Sequence, residues 1–280
     1  MKKISRRSFL AAAAVSAAAL ALTACGGSAS TASSAAASSV AASSEAASTS
    51  AAAAELTTVE AGKLTMATNA TFPPYEMTTD SGEFEGIDID TAKAIADKLG
   101  LELQIDDMDF DAALLSVQQG KADIVMAGVT VTDERKAVMD FSDSYATGIQ
   151  SIIVPEGSDI ASPDDLAGKT IGTQRGTTGY IYCSDDFGDE NVVAYDDGLT
   201  AVQALNNGQV DAVVIDNAPA QEFVAANPGL KVLDTSYAEE DYAIGMAKGS
   251  ALEDAVNKAL EELKADGTLQ AIVDKYINAN

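Results

Sequence analysis

The stretch ALLSVQQGKADIVMAG, residues 113–128, returns further along as AVQALNNGQVDAVVID, residues 201–216. Each runs through apolar positions at helical spacing, stops at a glycine, passes an aspartate and ends in a continuous apolar strand. Gly120 aligns with Gly208 and Asp123 with Asp211, both pairs 88 residues apart. GKLTMAT (62–68) and GKTIGT (168–173) form a second pair in the same order. Two ordered matches mean that one supersecondary unit is used twice, so the chain should build two similar α/β lobes.

The segments between the repeats fit that plan. DIDTAKAIADKLG reads as a helix with Asp at its start and Gly100 at its end. LELQI and NVVAY read as strands, and TTDSGEFEG as a hairpin-like turn. Strands alternating with helices imply parallel sheets. YATGIQSIIV (145–154) and the strand-like YAIGMA before the last two helices would be extended crossings between the lobes.

The amino terminus sets the compartment. Lys2, Lys3, Arg6 and Arg7 precede an apolar, alanine-rich run from Phe9 to Leu22, too short to span a bilayer comfortably. Residues 1–24 therefore read as a secretory signal. SRRSFL resembles a twin-arginine export signal, with an ordinary basic leader as the alternative. LTAC resembles a lipobox, which makes Cys25 the expected lipidation site and a membrane anchor. Residues 25–61 are mostly Ala, Ser, Thr and Gly, without side chains to bury, and read as a lipidated tether.

Composition narrows the chemistry. Residues 1–24 carry four basic and no acidic side chains, so their removal leaves 13 basic against 43 acidic, a formal charge of −30. Such a surface repels nucleic acid and anionic lipid head groups. The chain has no histidine, which excludes histidine-dependent triads and histidine metal sites. After Cys25 the one remaining thiol is Cys183, so no intrachain disulfide forms, and Cys183 reads as a small buried hydrophobe. The acidic knot of Asp106, Asp107, Asp109 and Asp111 lacks EF-hand spacing and reads as solvated surface. No metal or cofactor site is expected.

Arginine is scarce. It occurs four times, and past the signal only as Arg135 and Arg175. Arg135 follows Thr132-Asp133-Glu134, which reads as a capped, acidic first helical turn. The helix dipole disfavours a cation there. The arrangement suggests that Arg135 answers to something other than helix stability.

Six segments in order carry a family resemblance: ATNATFPPYE, GIDIDTAKAIADKLG, GKADIVMAGVTVTDERKAVMDFSDSY, IGTQRGTTGY, VDAVVID and LKADGTLQAIVDKY. Over residues 62–278 the chain resembles the extracytoplasmic solute-binding proteins of family 3, the polar amino acid-binding proteins of ABC importers. The resemblance implies a type II periplasmic-binding-protein-like "Venus flytrap", two doubly wound α/β lobes joined by two hinge crossings. Lobe one would be 62–148 plus 243–280 and lobe two 149–242. The partners implied are an amino acid ligand and the permease subunits, with the receptor itself a monomer.

In open α/β sheets ligands bind beyond the carboxyl ends of the strands. One repeat delivers Ala127, Gly128, Thr130 and Arg135 to that edge, and the other delivers Asp216. A cation on one jaw and an anion on the other suit a zwitterion, and Arg135 can grip a carboxylate through two parallel hydrogen bonds. By resemblance, Arg135, Thr130 and the Thr178 backbone hold the α-carboxylate, while Asp216, the Gly128 carbonyl and Thr130 hold the α-ammonium. Phe72 and Phe110 match positions that pack on the ligand, Asn69 and Gln174 positions near its side chain, and Thr177 joins them in RGTTG. Asn69 stands where relatives that bind cationic side chains often carry Asp, which favours a polar uncharged ligand.

Each residue also has a plainer use. Arg135 could pair with acids on a surface helix, Asp216 could cap a helix, and Phe72 and Phe110 could be core. The fold also admits two other functions. One is a prephenate or arogenate dehydratase, for which Glu76 and Asp216 are the carboxyls at hand; the other is a ligand-sensing module.

Overall fold

The computed structural model describes residues 56–277. The expected export signal, Cys25 and the tether up to residue 55 lie outside the described residues.

Two large sheets organise the described residues, beside a small one of Thr71–Phe72, Glu76–Thr78 and Phe84–Glu85. The first has the order Glu102–Asp107, Lys63–Thr68, Ile124–Val125, Gly245–Ala247, Met139–Phe141. The second has the order Val192–Tyr195, Ile171–Gln174, Ala212–Asp216, Ala146–Pro155, Leu230–Val232, with Ala238–Tyr242 also paired to Ala146–Pro155. In each sheet the first three strands are parallel, as alternation with helices demands. The remaining strands are antiparallel, so the sheets are mixed and not parallel throughout. The reason is the crossings. Ala146–Pro155 leaves the first lobe and enters the second sheet against Ala212–Asp216, and Gly245–Ala247 returns to lie against Ile124–Val125. A chain that runs out and back between lobes must reverse direction in the sheet that receives it.

The repeated residues do repeated structural work. Gly120 and Gly208 end their helices at φ +66° and +68°, a left-handed turn where glycine carries no steric penalty. Asp123 accepts hydrogen bonds from the backbone N–H groups of Thr65 (2.8 Å) and Val59 (2.7 Å). Asp211 accepts one from Thr170 at 2.8 Å. Each aspartate thus ties its strand to the neighbouring one from the second repeated pair.

Three local readings gain detail. The helix Ile87–Leu99 has Asp88 in its first turn and ends at Gly100, as read, and is entered through Gly86 at φ +133°, where a Cβ would collide with the Tyr75 carbonyl. Asp88 is fully buried there. The acidic knot is more than solvated surface, because Asp107 accepts from the Ala70 N–H at 2.8 Å and so anchors the loop after the first strand. Cys183 is core, as read, and burial pushes its thiol up to about 12.

Helices cover both sheets. Ile87–Leu99, Glu253–Ala265 and Thr268–Ile277 pack on the first lobe, with Ile95, Val256, Leu260 and Leu263 in its core. A separate cluster around Ile152, Val154, Leu166 and Val214 fills the second. Full burial of such a side chain contributes roughly 1.5–3 kcal/mol, and the cluster holding Ile95 and Val256 runs on into the second lobe through Ile153, Val213 and Ile215.

Candidate ligand-binding cleft

The carboxyl ends of the strands in both sheets face one cleft. It is lined by Asn69, Phe72, Phe110, Ala127, Gly128, Thr130 and Arg135 from the first lobe, and by Gln174, Thr177, Thr178 and Asp216 from the second. All eleven positions singled out by sequence thus meet in one place. Glu76, Gln150, Val214, Ile215 and Tyr242 also line it and were missing from that set. The walls are close together and leave a cavity of about 20 Å³.

Arg135 is placed by a short helix, Asp133–Val138, capped by Thr132, whose hydroxyl accepts from the Arg135 N–H at 3.2 Å. The side chain is only 8% exposed, which removes the surface-pair reading. Its guanidinium donates to the carbonyls of Thr130 (2.7 Å) and Gly176 (3.2 Å) and stands 5.4 Å from the Phe110 ring centroid. Burial lowers its pKa, although Glu240 opposes the shift, and an arginine remains charged regardless. Phe110 is a core residue, and its ring is also the plane near which the guanidinium lies.

On the second lobe, Gln174 ends the strand Ile171–Gln174 and Thr177 caps the helix Thr178–Phe187. Thr177 Oγ1 accepts from the Tyr180 N–H and donates to the Gln174 carbonyl at 2.8 Å, fixing the turn between them. Asp216 ends the neighbouring strand and is 2% exposed. It accepts from the Ala218 N–H at 3.0 Å, the helix-cap use, and from the Ile149 N–H at 2.7 Å. It lines the cleft as well. Burial pushes its carboxyl up to about 6 against those two N–H donors.

The lobes touch across the cleft. Gln174 Nε2 donates to Asn69 Oδ1 at 2.8 Å, and Asn69 Nδ2 donates to the Met108 carbonyl at 3.0 Å. Thr130 and Thr178 bring their hydroxyls within 3.4 Å. Arg175, by contrast, points away from this group, toward the Ala194 carbonyl and an exposed pairing with Asp196.

Behind the walls lie more buried acids than the sequence suggested. Asp88 accepts from the Gly128 N–H (2.9 Å) and the Tyr145 hydroxyl (2.8 Å), and burial holds it near a pKa of about 6. Glu76, fully buried beside Asp88, is pushed well above the carboxylate range by desolvation and then by that neighbour's charge. Glu240, 5% exposed, accepts on one oxygen from Thr130 Oγ1 (2.9 Å), Thr178 Oγ1 (3.0 Å) and Gln150 Nε2 (3.0 Å). Burial and Glu240 push the Tyr182 phenol up to about 12. Two-residue alternation along Ala238–Tyr242, which turns Glu240 and Tyr242 inward together, was the available signal.

Two lobes on one plan, joined by two crossings and closing on a cleft with a buried cation and a buried anion, define the class of type II periplasmic binding proteins. The model of the bacterial extracellular solute-binding proteins, family 3, matches residues 64–279, and the chain belongs to that family. It is 33% identical over 226 residues to the L-cystine-binding protein TcyJ of Escherichia coli K12, covering 79% of this chain and 85% of that protein. It is 33% identical over 224 residues to the arginine-binding extracellular protein ArtP of Bacillus subtilis 168, covering 76% and 86%. An ancestral arginine-binding protein solved with glutamine superposes with a TM-score of 0.74 at 44% identity, over 77% of this chain and 98% of that one. The arginine-, lysine-, histidine-binding protein ArtJ of Geobacillus stearothermophilus gives 0.74 at 35% identity, over 77% and 95%.

Proposed function

We propose that this chain is an extracytoplasmic amino acid receptor of an ABC importer, anchored through Cys25, that captures a polar uncharged amino acid and presents it to the permease as a monomer. The carrying observation is that Arg135 and Asp216, both buried, line one cleft from opposite lobes. A zwitterion supplies the opposite charge to each, and its two bonds join the lobes, so ligand stabilises the closed form. The moving bodies are 62–148 with 243–280, and 149–242. The Asn69–Gln174 amide pair offers a ligand side chain neutral donors and acceptors, which supports a polar uncharged specificity. Relatives named for arginine, cystine and glutamine set the range to be searched.

A dehydratase is the competing reading, because Glu76, a carboxyl whose pKa burial pushes well above the usual carboxylate range, lines the cleft. Against it, Glu76 is fully buried beside Asp88, and that burial and that neighbour account for its upward shift without a reaction. Thermal-shift measurement with all twenty amino acids, prephenate and arogenate separates the two. Binding at a hundred times Kd adds about 2.7 kcal/mol of stability. An amino acid recovered intact supports the receptor; aromatic product that vanishes in Glu76→Gln supports the enzyme. Cys25→Ser should release the protein from membranes without changing affinity, and a wild-type protein found in the soluble fraction alone would remove the anchor.

A further inference from the structure

Glu240 is not part of the cleft lining, yet it touches three residues that are: Thr130 of the first lobe, Thr178 of the second, and Gln150 on the crossing strand. A threonine hydroxyl has one hydrogen. Those of Thr130 and Thr178 are both directed to the same Glu240 oxygen, at 2.9 and 3.0 Å. The carboxyl also fixes the Gln150 amide, since only its NH₂ can donate to that oxygen, and the buried Gln150 Oε1 is left with no hydrogen-bond partner. With their hydrogens committed behind the wall, the two threonine hydroxyls have only lone pairs to offer elsewhere, while the Gln150 amide keeps its second N–H.

We propose that Glu240 sets the hydrogen-bond polarity of this wall, making the Thr130 and Thr178 hydroxyls acceptors toward the ligand. The inference rests on the amino acid reading and sharpens it. Thr130 then serves the α-ammonium alone, and the carboxylate is left to Arg135 and to backbone N–H groups. Glu240 is a positioning residue, acting on the ligand through the groups it orients.

The probes are L-glutamine and glutaramate, the same molecule without its amino group, titrated by calorimetry into the full chain. In Thr130→Val, L-glutamine should weaken about tenfold and glutaramate less than threefold. Equal losses would mean that Thr130 donates to the carboxylate, and would overturn the proposal. Glu240→Leu should cut the preference for L-glutamine over glutaramate about tenfold or more. Glu240→Gln, whose amide oxygen can take the same hydrogens, should keep at least a third of it; equal cuts in both variants would leave charge as the whole effect and also overturn the proposal. A ligand-independent arm uses NMR of the Thr130 and Thr178 hydroxyl protons. They should be protected from exchange in the parent and in Glu240→Gln and unprotected in Glu240→Leu, and unprotected protons in the parent would defeat the proposal outright. Protected hydroxyls with no response to either probe or to any amino acid would instead remove the amino acid reading and leave the orientation by Glu240 standing.

Discussion

The repeated strand ends in Gly128 in the first lobe and in Asp216 in the second, while the residues upstream of those ends do the same work twice. Gly120 and Gly208 stop their helices with matching left-handed turns, and Asp123 and Asp211 tie down the adjacent strand. At the strand ends the halves part. Gly128, at φ +56°, gives its N–H to Asp88 and leads to Thr130 and Arg135; Asp216 caps a helix and faces the cleft with its own carboxyl. A Cβ at Gly128 would come within 2.9 Å of the Phe72 ring. The scaffold is kept where it holds strands together, and the charge is varied where the two sheets meet. The asymmetry lets a symmetric frame recognise a molecule with different ends.

The largest test of that contrast is Arg135→Ala against Asp216→Ala. Arg135→Ala should weaken amino acid binding at least a hundredfold, about 2.7 kcal/mol, with the ligand-free melting temperature near the parent's. Arg135→Lys should recover only part, because an ammonium lacks the fork geometry. Asp216→Ala should lose affinity and also about 1 kcal/mol of stability, through loss of the helix cap. Calorimetric titration with melting curves reads both, and unchanged affinity in Arg135→Ala would take it out of the site.

The upstream pair comes next. Asp123→Ala removes an acceptor from two backbone N–H groups at a buried position and should cost about 2–3 kcal/mol, whereas Asp211→Ala frees one at an exposed position and should cost about 1 kcal/mol. Denaturant titration decides it. Equal costs would show that the extra bond from Val59 contributes nothing.

The smallest effect is a pH slope. Asp88 and Asp216 hold their protons up to about pH 6 in the fold, and ordinary aspartate does so only to about 3.9. Between those values the folded protein binds more protons than the unfolded chain, so stability rises as pH falls from about 6 toward 4. The ligand-free melting temperature should climb by a few degrees over that window, and Asp216→Asn should remove part of the climb. A slope unchanged in that variant would assign it to other groups. Affinity should move the other way, falling as pH drops through about 6, because a protonated Asp216 no longer attracts an ammonium.

Much of this was legible in the sequence. The repeat gave both sets of parallel strands, because glycine stops and apolar runs are local signals. Arg135 stood out because a cation in an acidic first turn conflicts with local electrostatics. Glu240 and Gln150 were not found, since one sits in an acidic run that reads as surface and the other in an apolar crossing. Only the register pairing Ala238–Tyr242 with Ala146–Pro155 turns both inward. The Asp88–Glu76 pair escaped for a similar reason: acids at a helix start are ordinary, and packing alone reveals that these two are buried together.

The crossings also bear on the order in which the chain can assemble during synthesis. Every strand of the second sheet lies between residues 146 and 242, so that sheet can close once those residues have emerged. The first sheet cannot. Its strands Ile124–Val125 and Met139–Phe141 are joined through Gly245–Ala247, more than a hundred residues later, so its central edge stays open until nearly the whole chain is available. Closing such a long loop is slow. The half made first is therefore finished last, and for that interval it exposes unpaired strand edges of the kind that aggregate or recruit a chaperone.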